Sequence, residues 1–168
     1  MALEIRPMGD GDVDALVGVS LAADTLFAEA GLDLPPDDPR EMLGHVERVL
    51  VAVADGRVCG LAATVTLDGA THLEQLAVHP DHGRRGIGSA LLEAVCAEAA
   101  DQGHIRATLT TFRDLAWNGP WYERRGFSVL PRSQWGPGLE QQWVDEERAG
   151  ISVRPRVAMT RVVDESVR

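Results

Sequence analysis

The sequence predicts an α/β fold built on one mixed sheet, and three observations indicate it. The chain has 168 residues and 45% hydrophobic content, which suits a single domain over residues 1–168 with a large core. Between residues 49 and 78, three apolar runs are separated by Asp-Gly pairs at 55–56 and 68–69, and such pairs are typical of β-hairpins. Elsewhere, segments of helical periodicity alternate with short apolar runs, as in α/β proteins.

The N-terminal elements follow from local patterns. "LEIRPM" (3–8) indicates a short strand. The acidic residues of "GDGDVD" cap a helix that begins near Val13, where apolar residues recur at helical spacing. "GLDLPPDDP" (31–39) contains too much proline for a helix and predicts a loop. "REMLGHVERV" (40–49) predicts a short helix.

The remaining elements are read in the same way. The predicted strands are 49–54, 57–67, 70–78, 105–112, 127–130 and 155–163. The predicted helices are 86–102, 116–126 and 138–150. Glycines at 126 and 150 stand where two of these helices end, as helix C-termini favour.

Charge and composition favour some classes of binding partner and disfavour others. A formal net charge of −10 disfavours nucleic acid, because phosphate binding needs a basic surface, and favours cationic partners such as amines. No secretory signal or membrane-spanning stretch is evident, so we expect a cytoplasmic protein without a membrane partner. Cys59 and Cys96 have no metal or redox spacing. Pro80 lies between His79 and His82 without a third ligand, so we expect no metal.

The stretch "DHGRRGIGSALLEA" (81–94) predicts an anion site between a strand and a helix. It contains three glycines, at 83, 86 and 88. Glycine lets the backbone approach a ligand, and the unpaired N–H groups and dipole of a helix N-terminus favour an anion. Arg84 and Arg85 add guanidinium donors.

Two well-known phosphate motifs do not match this loop. Ser89 occupies the position of the P-loop lysine, and the order G-x-x-G-x-G differs from the dinucleotide fingerprint G-x-G-x-x-G. The remaining alternative is a tight turn with a solvated arginine pair.

Two stretches, "LEQLAVHPDHGRRGIGSALL" (73–92) and "WNGPWYERRGF" (117–127), together with the element order, resemble the GNAT superfamily of N-acetyltransferases. The matching features are Val78, Pro80, Gly86, Gly88, Asn118, Tyr122, Gly126 and Phe127. Gly83 departs from the pattern, because the family usually has Arg or Gln there. The resemblance implies a mixed, mostly antiparallel twisted sheet of about seven strands, flanked by helices.

The same resemblance implies that the loop binds the pyrophosphate of acetyl-coenzyme A through backbone N–H groups from about 83 to 89. The cofactor contacts that it implies are Leu76, Ala77, Val78, Gly83, Arg84, Arg85, Gly86, Ile87, Gly88, Ser89, Asn118 and Tyr122. The N–H of Leu76 would polarise the thioester carbonyl. Tyr122 would be the acid that protonates the leaving thiolate. Glu74, which shares a strand face with Leu76 and Val78, would be the base.

Other residues are weaker candidates. His72, on the face of Glu74, is a substitute base. The residues expected on the acceptor side are Asp24, Phe27, His72, Arg113, Asp114, Trp117 and Trp121. Arg113 and Asp114 could instead pair with each other, and the tryptophans could serve packing alone.

These observations predict an enzyme that moves an acetyl group directly from acetyl-coenzyme A to a primary amine. The acidic composition favours a small cationic acceptor, and a protein amine is the alternative. A non-catalytic acyl-coenzyme A-binding or regulatory domain, and a nucleotide-binding protein of another fold, are the other two alternatives. A homodimer would agree with the habit of the family.

Overall fold

The computed structural model describes residues 1–164 and 166, which form seven strands and five α-helices. The strands are Leu3–Pro7 (β1), Arg48–Ala54 (β2), Arg57–Leu67 (β3), Ala70–Val78 (β4), Arg106–Phe112 (β5), Ser128–Val129 (β6) and Arg156–Val162 (β7). The helices are Val13–Glu29 (α1), Pro39–His45 (α2), Ile87–Asp101 (α3), Gly119–Glu123 (α4) and Pro137–Arg148 (α5).

The strands form one sheet in the order β1-β2-β3-β4-β5-β7-β6. β4 and β5 are parallel, with Thr71 to Leu73 in register with Ala107 to Leu109. The β1–β2, β2–β3, β5–β7 and β6–β7 pairs are antiparallel. The predicted mixed, mostly antiparallel sheet of seven strands flanked by helices is therefore confirmed.

Both predicted hairpin turns form at the Asp-Gly pairs. Asp55 and Gly56 have φ values of 50° and 78°, and Asp68 and Gly69 have 54° and 74°. Two consecutive residues with positive φ are the signature of the type I′ turn, whose twist matches that of the flanking strands. The turn residues thus determine where β2, β3 and β4 begin and end.

The chain divides into two compact units, and the boundaries fall inside β3, β4 and α3. The first unit comprises Met1–Val65 and Glu74–Val95. Its core packs α1 and α2 on the strands, through Leu16, Val19, Leu43, Val49, Val51, Leu61, Ala63 and Ala77. Burying a side chain such as Leu or Val contributes about 1.5–3 kcal/mol, and this packing fixes the part of β4 that carries Glu74.

The second unit comprises Thr66–Leu73 and the chain from Cys96 onward. β5 pairs with β7 along its whole length, and Leu130, Leu139 and Ala158 form a smaller core. The Asp68 carboxylate accepts hydrogen bonds from the N–H groups of Gly138 (2.7 Å) and Leu139 (2.9 Å). This contact caps the first turn of α5, where N–H groups have no partner within the helix.

Three predicted elements are substantially longer than the observed ones, and most of the others differ by one or two residues at an end. The helix expected at 40–49 ends at His45, because Val46 is extended and Arg48 already belongs to β2. The helix expected at 116–126 is only Gly119–Glu123, since Asn118 is non-helical with φ −119° and ψ −116°. The strand expected at 127–130 is reduced to Ser128–Val129.

Candidate functional site

The glycine-rich loop connects β4 to α3 in the first unit. A 3-10 turn, Pro80–His82, follows β4. Arg84 and Gly86 then adopt positive φ values of 62° and 78°, which reverse the chain into the first turn of α3. Gly83 has an ordinary φ of −63°, but a Cβ there would lie 3.2 Å from the Pro80 carbonyl oxygen. Gly83 is therefore favoured by the close packing of the turn.

The loop presents donors after Gly83. The Gly83 N–H donates to the Pro80 carbonyl (3.1 Å). It is therefore not available to an anion, although it belongs to the N–H groups of 83–89 predicted to bind one. The Ala90 N–H donates to the Gly86 carbonyl (3.0 Å), which is a hydrogen bond of the first helical turn. The N–H groups of Ile87 and Gly88 precede Ala90 and therefore have no partner within the helix. These N–H groups lie at the positive end of the helix dipole.

Two arginines and two apolar residues complete this loop region. Arg84 and Arg85 are exposed, and in residues 1–164 and 166 neither forms an ion pair. Ile87 and Ala77 are buried in the core. The loop can therefore hold an anion between N–H donors and free guanidinium groups.

Glu74 forms an ion pair that the sequence did not reveal. Its Oε1 lies 3.1 Å from His45 Nε2, and the exposed fractions of the two side chains are 17% and 55%. Next along the strand, Gln75 donates from Nε2 to Ser20 Oγ on α1 (2.7 Å). His45 and Glu74 are 29 residues apart, and no local pattern connects the end of α2 to β4.

His72 lies in the core of the second unit. It is 1% exposed, and its Nδ1 is 2.9 Å from the Thr108 hydroxyl. Burial lowers the pKa of His72 to about 4, although the charges of Glu146 and Asp68 oppose the shift. A buried imidazole that is neutral at physiological pH is a weak proton acceptor, which counts against His72 as substitute base and as acceptor contact.

Asn118 and Tyr122 are positioned by α4. Asn118 stands at the N-cap of the helix without a side-chain capping bond, and its Oδ1 instead accepts from the Thr111 hydroxyl on β5 (2.7 Å). Tyr122 is one turn further on, and its N–H donates to the Asn118 carbonyl (3.0 Å). Thr111 is the contact that sequence reasoning missed.

Tyr122 is buried among aromatic rings. Its ring packs edge-on against Trp121, with centroids 5.0 Å apart, and against Phe127 at 5.7 Å. Burial raises the pKa of Tyr122 above its usual value. The phenol therefore stays protonated throughout the physiological range, and the raised pKa makes it a weaker acid than an ordinary tyrosine.

The residues expected on the acceptor side divide between the two units. In the first unit, Phe27 is half-buried, and burial, followed by the charge of Asp37, raises the pKa of Asp24 to about 6. In the second unit, Arg113 and Asp114 form a bidentate pair of 3.0 and 2.9 Å with each other.

The tryptophans of the second unit differ in exposure. Trp117 is 38% exposed, while the Arg125 guanidinium lies 3.8 Å from the ring centroid of Trp121. A cation stacked on Trp121 occupies one face of that ring. Trp117 is therefore the more exposed of these two tryptophans.

The described residues contain neither a cluster of metal ligands nor a membrane-spanning helix. Within residues 1–164 and 166, no three His, Cys, Asp or Glu side chains cluster closely enough to hold a metal ion. His79 Nδ1 accepts from the Asp81 N–H (3.1 Å). Over the same residues, every helix is too short or too polar to cross a membrane.

Comparisons with known proteins agree with this architecture. A family profile described as an acetyltransferase (GNAT) domain matches residues 45–129, about half of the chain. A GNAT-family acetyltransferase from Staphylococcus aureus Mu50 is similar in structure, with a TM-score of 0.75 and 16% identity over 97% of this chain and 100% of that one.

Two further solved structures are similar. N-acetylglutamate synthase from Neisseria gonorrhoeae, solved with coenzyme A and N-acetyl-glutamate, has a TM-score of 0.74 and 20% identity, covering 98% of this chain and 36% of that one. The ribosomal-protein-S18-alanine N-acetyltransferase of Escherichia coli has a TM-score of 0.71 and 18% identity, covering 97% and 95%. At these identities the likeness shows the fold.

Proposed function

This chain belongs to the GNAT family of acetyltransferases, and from that premise we propose that residues 1–168 act as one domain that transfers an acetyl group from acetyl-coenzyme A to a primary amine. The observation that carries the proposal is the loop from Gly83 to Ser89, which opens a 15-residue helix directly after β4. Acetyl-coenzyme A supplies an acetyl group activated as a thioester, and its pyrophosphate is an anion of the kind that such a loop favours.

The residues of the loop fit this anion. The N–H groups of Ile87 and Gly88 and the exposed guanidinium groups of Arg84 and Arg85 are the proposed contacts. We assign Leu76, Ala77 and Val78 to the same binding surface through their backbone. The pairing of β4 with β5 covers Thr71 to Leu73, and we assign the Leu76 N–H, further along the same strand, as the donor to the thioester carbonyl.

Glu74 is the proposed base. It takes one proton from the acceptor ammonium, which frees the nitrogen lone pair to form the new C–N bond as the C–S bond breaks. The carboxylate is half-buried and already stands next to a cation-forming side chain, His45. The nitrogen loses its second proton as the amide forms, and one proton in total leaves to solvent.

Tyr122 is the proposed acid, and it gives its phenolic proton to the leaving thiolate. Burial raises the pKa of Tyr122, and the same apolar surroundings raise the proton affinity of a thiolate placed there. Asn118, which Thr111 orients, is the proposed second contact from α4. The phenol recovers a proton through water after each turnover.

The acceptor is proposed to be a small cationic amine. The net charge of −10 favours it, and Asp24, Asp37 and Glu74 add acidic side chains to the first unit. The names of the structural neighbours include both an amino-acid product and a ribosomal protein, so the screen covers both kinds of acceptor. The chain contains no lysine, so acetylation of its own lysine side chains cannot contribute to a mass-spectrometric signal.

Calorimetric titration with acetyl-coenzyme A tests the loop, with ATP and NADH as controls. We expect selective binding with a micromolar Kd. Substituting both arginines, R84A/R85A, should weaken binding about tenfold, since each removes an exposed charge-assisted contact. The matched control is R57A, an exposed arginine at the start of β3. Failure of the folded protein to bind acetyl-coenzyme A would contradict the proposal.

The non-catalytic alternative makes a different prediction. It expects binding of acetyl-coenzyme A without acetylation of any amine in a panel of polyamines, amino sugars, amino acids and peptides. Product detection by mass spectrometry, with loss of product in E74Q, supports the enzyme. Binding without product across that panel would favour a regulatory domain.

A further inference from the structure

His45 is held between two hydrogen-bond acceptors. Its Nδ1 lies 3.2 Å from the Glu41 carbonyl oxygen, one turn earlier on α2, and its Nε2 lies 3.1 Å from Glu74 Oε1 on β4. A carbonyl and a carboxylate can only accept hydrogen bonds. Both ring nitrogens therefore face acceptors.

This arrangement determines the protonation state that fits best. A neutral imidazole has one N–H and can satisfy only one of the two contacts, whereas an imidazolium satisfies both. The charged groups that face the ring are Glu74 and Glu41, and the hydrogen bond to Glu74 is the largest cause that raises the pKa of His45. The geometry thus favours a cationic His45 beside an anionic Glu74.

The pair leaves one carboxylate oxygen uncommitted. Glu74 Oε1 is bonded to His45, while within residues 1–164 and 166 Oε2 has no hydrogen-bond partner. The Glu74 side chain is 17% exposed and the His45 side chain is 55% exposed. The histidine is therefore the partner that faces solvent, and the carboxylate is the more buried one.

We propose that His45 is a positioning residue that holds the Glu74 carboxylate through Oε1 and leaves Oε2 to take the proton of the acceptor ammonium. The inference rests on the proposed function, in which Glu74 is the base. A carboxylate on a flexible side chain can rotate, and a fixed second anchor on α2 restricts it to one orientation. Because a misplacement of about 1 Å can cost about 100-fold in rate, such an anchor contributes to kcat without touching the substrate.

The test compares H45A and H45Q by steady-state kinetics, once an acceptor amine is known. H45A removes the donor, and we expect kcat to fall about 10- to 100-fold with an unchanged KM for acetyl-coenzyme A. H45Q keeps an N–H donor near Glu74 and should restore kcat to within about threefold. The control is R40A. Arg40 lies on α2, as His45 does, and its exposed ion pair with Asp14 of α1 is lost in this variant, which should retain the wild-type kcat.

A binding-independent measurement separates this inference from the proposed function. Histidine NMR titration reads the pKa of His45 directly, and its signal among the five histidines is identified by its loss in H45Q. We expect a pKa above the ordinary value in the wild type and a lower one in E74Q. An unchanged His45 titration in E74Q would show that the pair is absent in solution and would overturn the inference.

The kinetic outcomes are equally distinct. If E74Q is inactive while H45A keeps the wild-type kcat, positioning by His45 is wrong and the base stands. If H45A and H45Q are equally impaired, the hydrogen bond is not what matters and the inference also fails. If E74Q is as active as the wild type, the proposed base is wrong, and the inference falls with it.

Discussion

Replacing Tyr122 with phenylalanine removes one oxygen atom from the proposed acid and keeps the ring. The contacts of Tyr122 with Trp121 and Phe127, at 5.0 and 5.7 Å, are made by the ring. In the described part of the chain the hydroxyl has no hydrogen-bond partner. Because phenylalanine would lose no hydrogen bond, and this hydroxyl is not one of the buried unpartnered atoms of the described residues, the free energy of unfolding should change by less than about 1 kcal/mol.

Turnover should respond very differently from stability. General acid catalysis contributes about 10²- to 10⁴-fold, so we expect kcat of Y122F to fall by that factor, or about 3–5 kcal/mol of transition-state stabilisation. The Kd for acetyl-coenzyme A should stay within about twofold of the wild type, since the substituted atom is not a proposed anion contact.

Three measurements on the same preparation decide the matter. Release of free thiol gives kcat, calorimetry gives the Kd, and urea denaturation gives the free energy of unfolding. A kcat within about threefold of the wild type, with binding and stability unchanged, would refute Tyr122 as the acid. The fold and the glycine-rich loop would be unaffected by that result.

Two further predictions concern stability in the second unit. The pKa of His72 is about 4 in the folded state and 6.5 in the unfolded state. As the pH falls, the unfolded state therefore binds the proton first, which favours unfolding. The free energy of unfolding should be highest above about pH 6.5 and decrease by up to about 3 kcal/mol toward pH 4. Denaturation of H72N across this range should lack that component, and an identical pH dependence would contradict the assignment. D68A should lose about 1–2 kcal/mol because α5 loses its cap, and D68N, which keeps an oxygen acceptor and tolerates positive φ, should lose less. Equal urea midpoints for D68A and the wild type would show that the contacts with Gly138 and Leu139 are not stabilising.

The hairpins show how much local sequence can predict. Asp55-Gly56 and Asp68-Gly69 select the type I′ turn through the φ values that these residues tolerate, and the predicted strands 57–67 and 70–78 match β3 and β4 residue for residue. The helix at 116–126 is the opposite case. Gly126 predicts where this helix ends, but the observed helix is only Gly119–Glu123, and Gly119 lies so close to the Arg113 carbonyl that a Cβ would come within 2.5 Å of the oxygen. This close approach to residue 113 is a tertiary contact that the local pattern of 116–126 does not contain.

The candidate site also has features that local sequence predicts and features that only the tertiary structure determines. The sequence by itself determined the element order and the loop that opens α3, because these depend on spacing along a few turns or one strand. The residues proposed to act came from the resemblance of two stretches to the GNAT family. The tertiary structure decided which partners those residues have: His45 beside Glu74, Thr111 beside Asn118, and Asp68 on the first turn of α5, 70 residues away. It also decided that His72 is buried and neutral. Protonation and orientation follow from desolvation and from contacts between distant segments, and no local pattern of residues encodes either one.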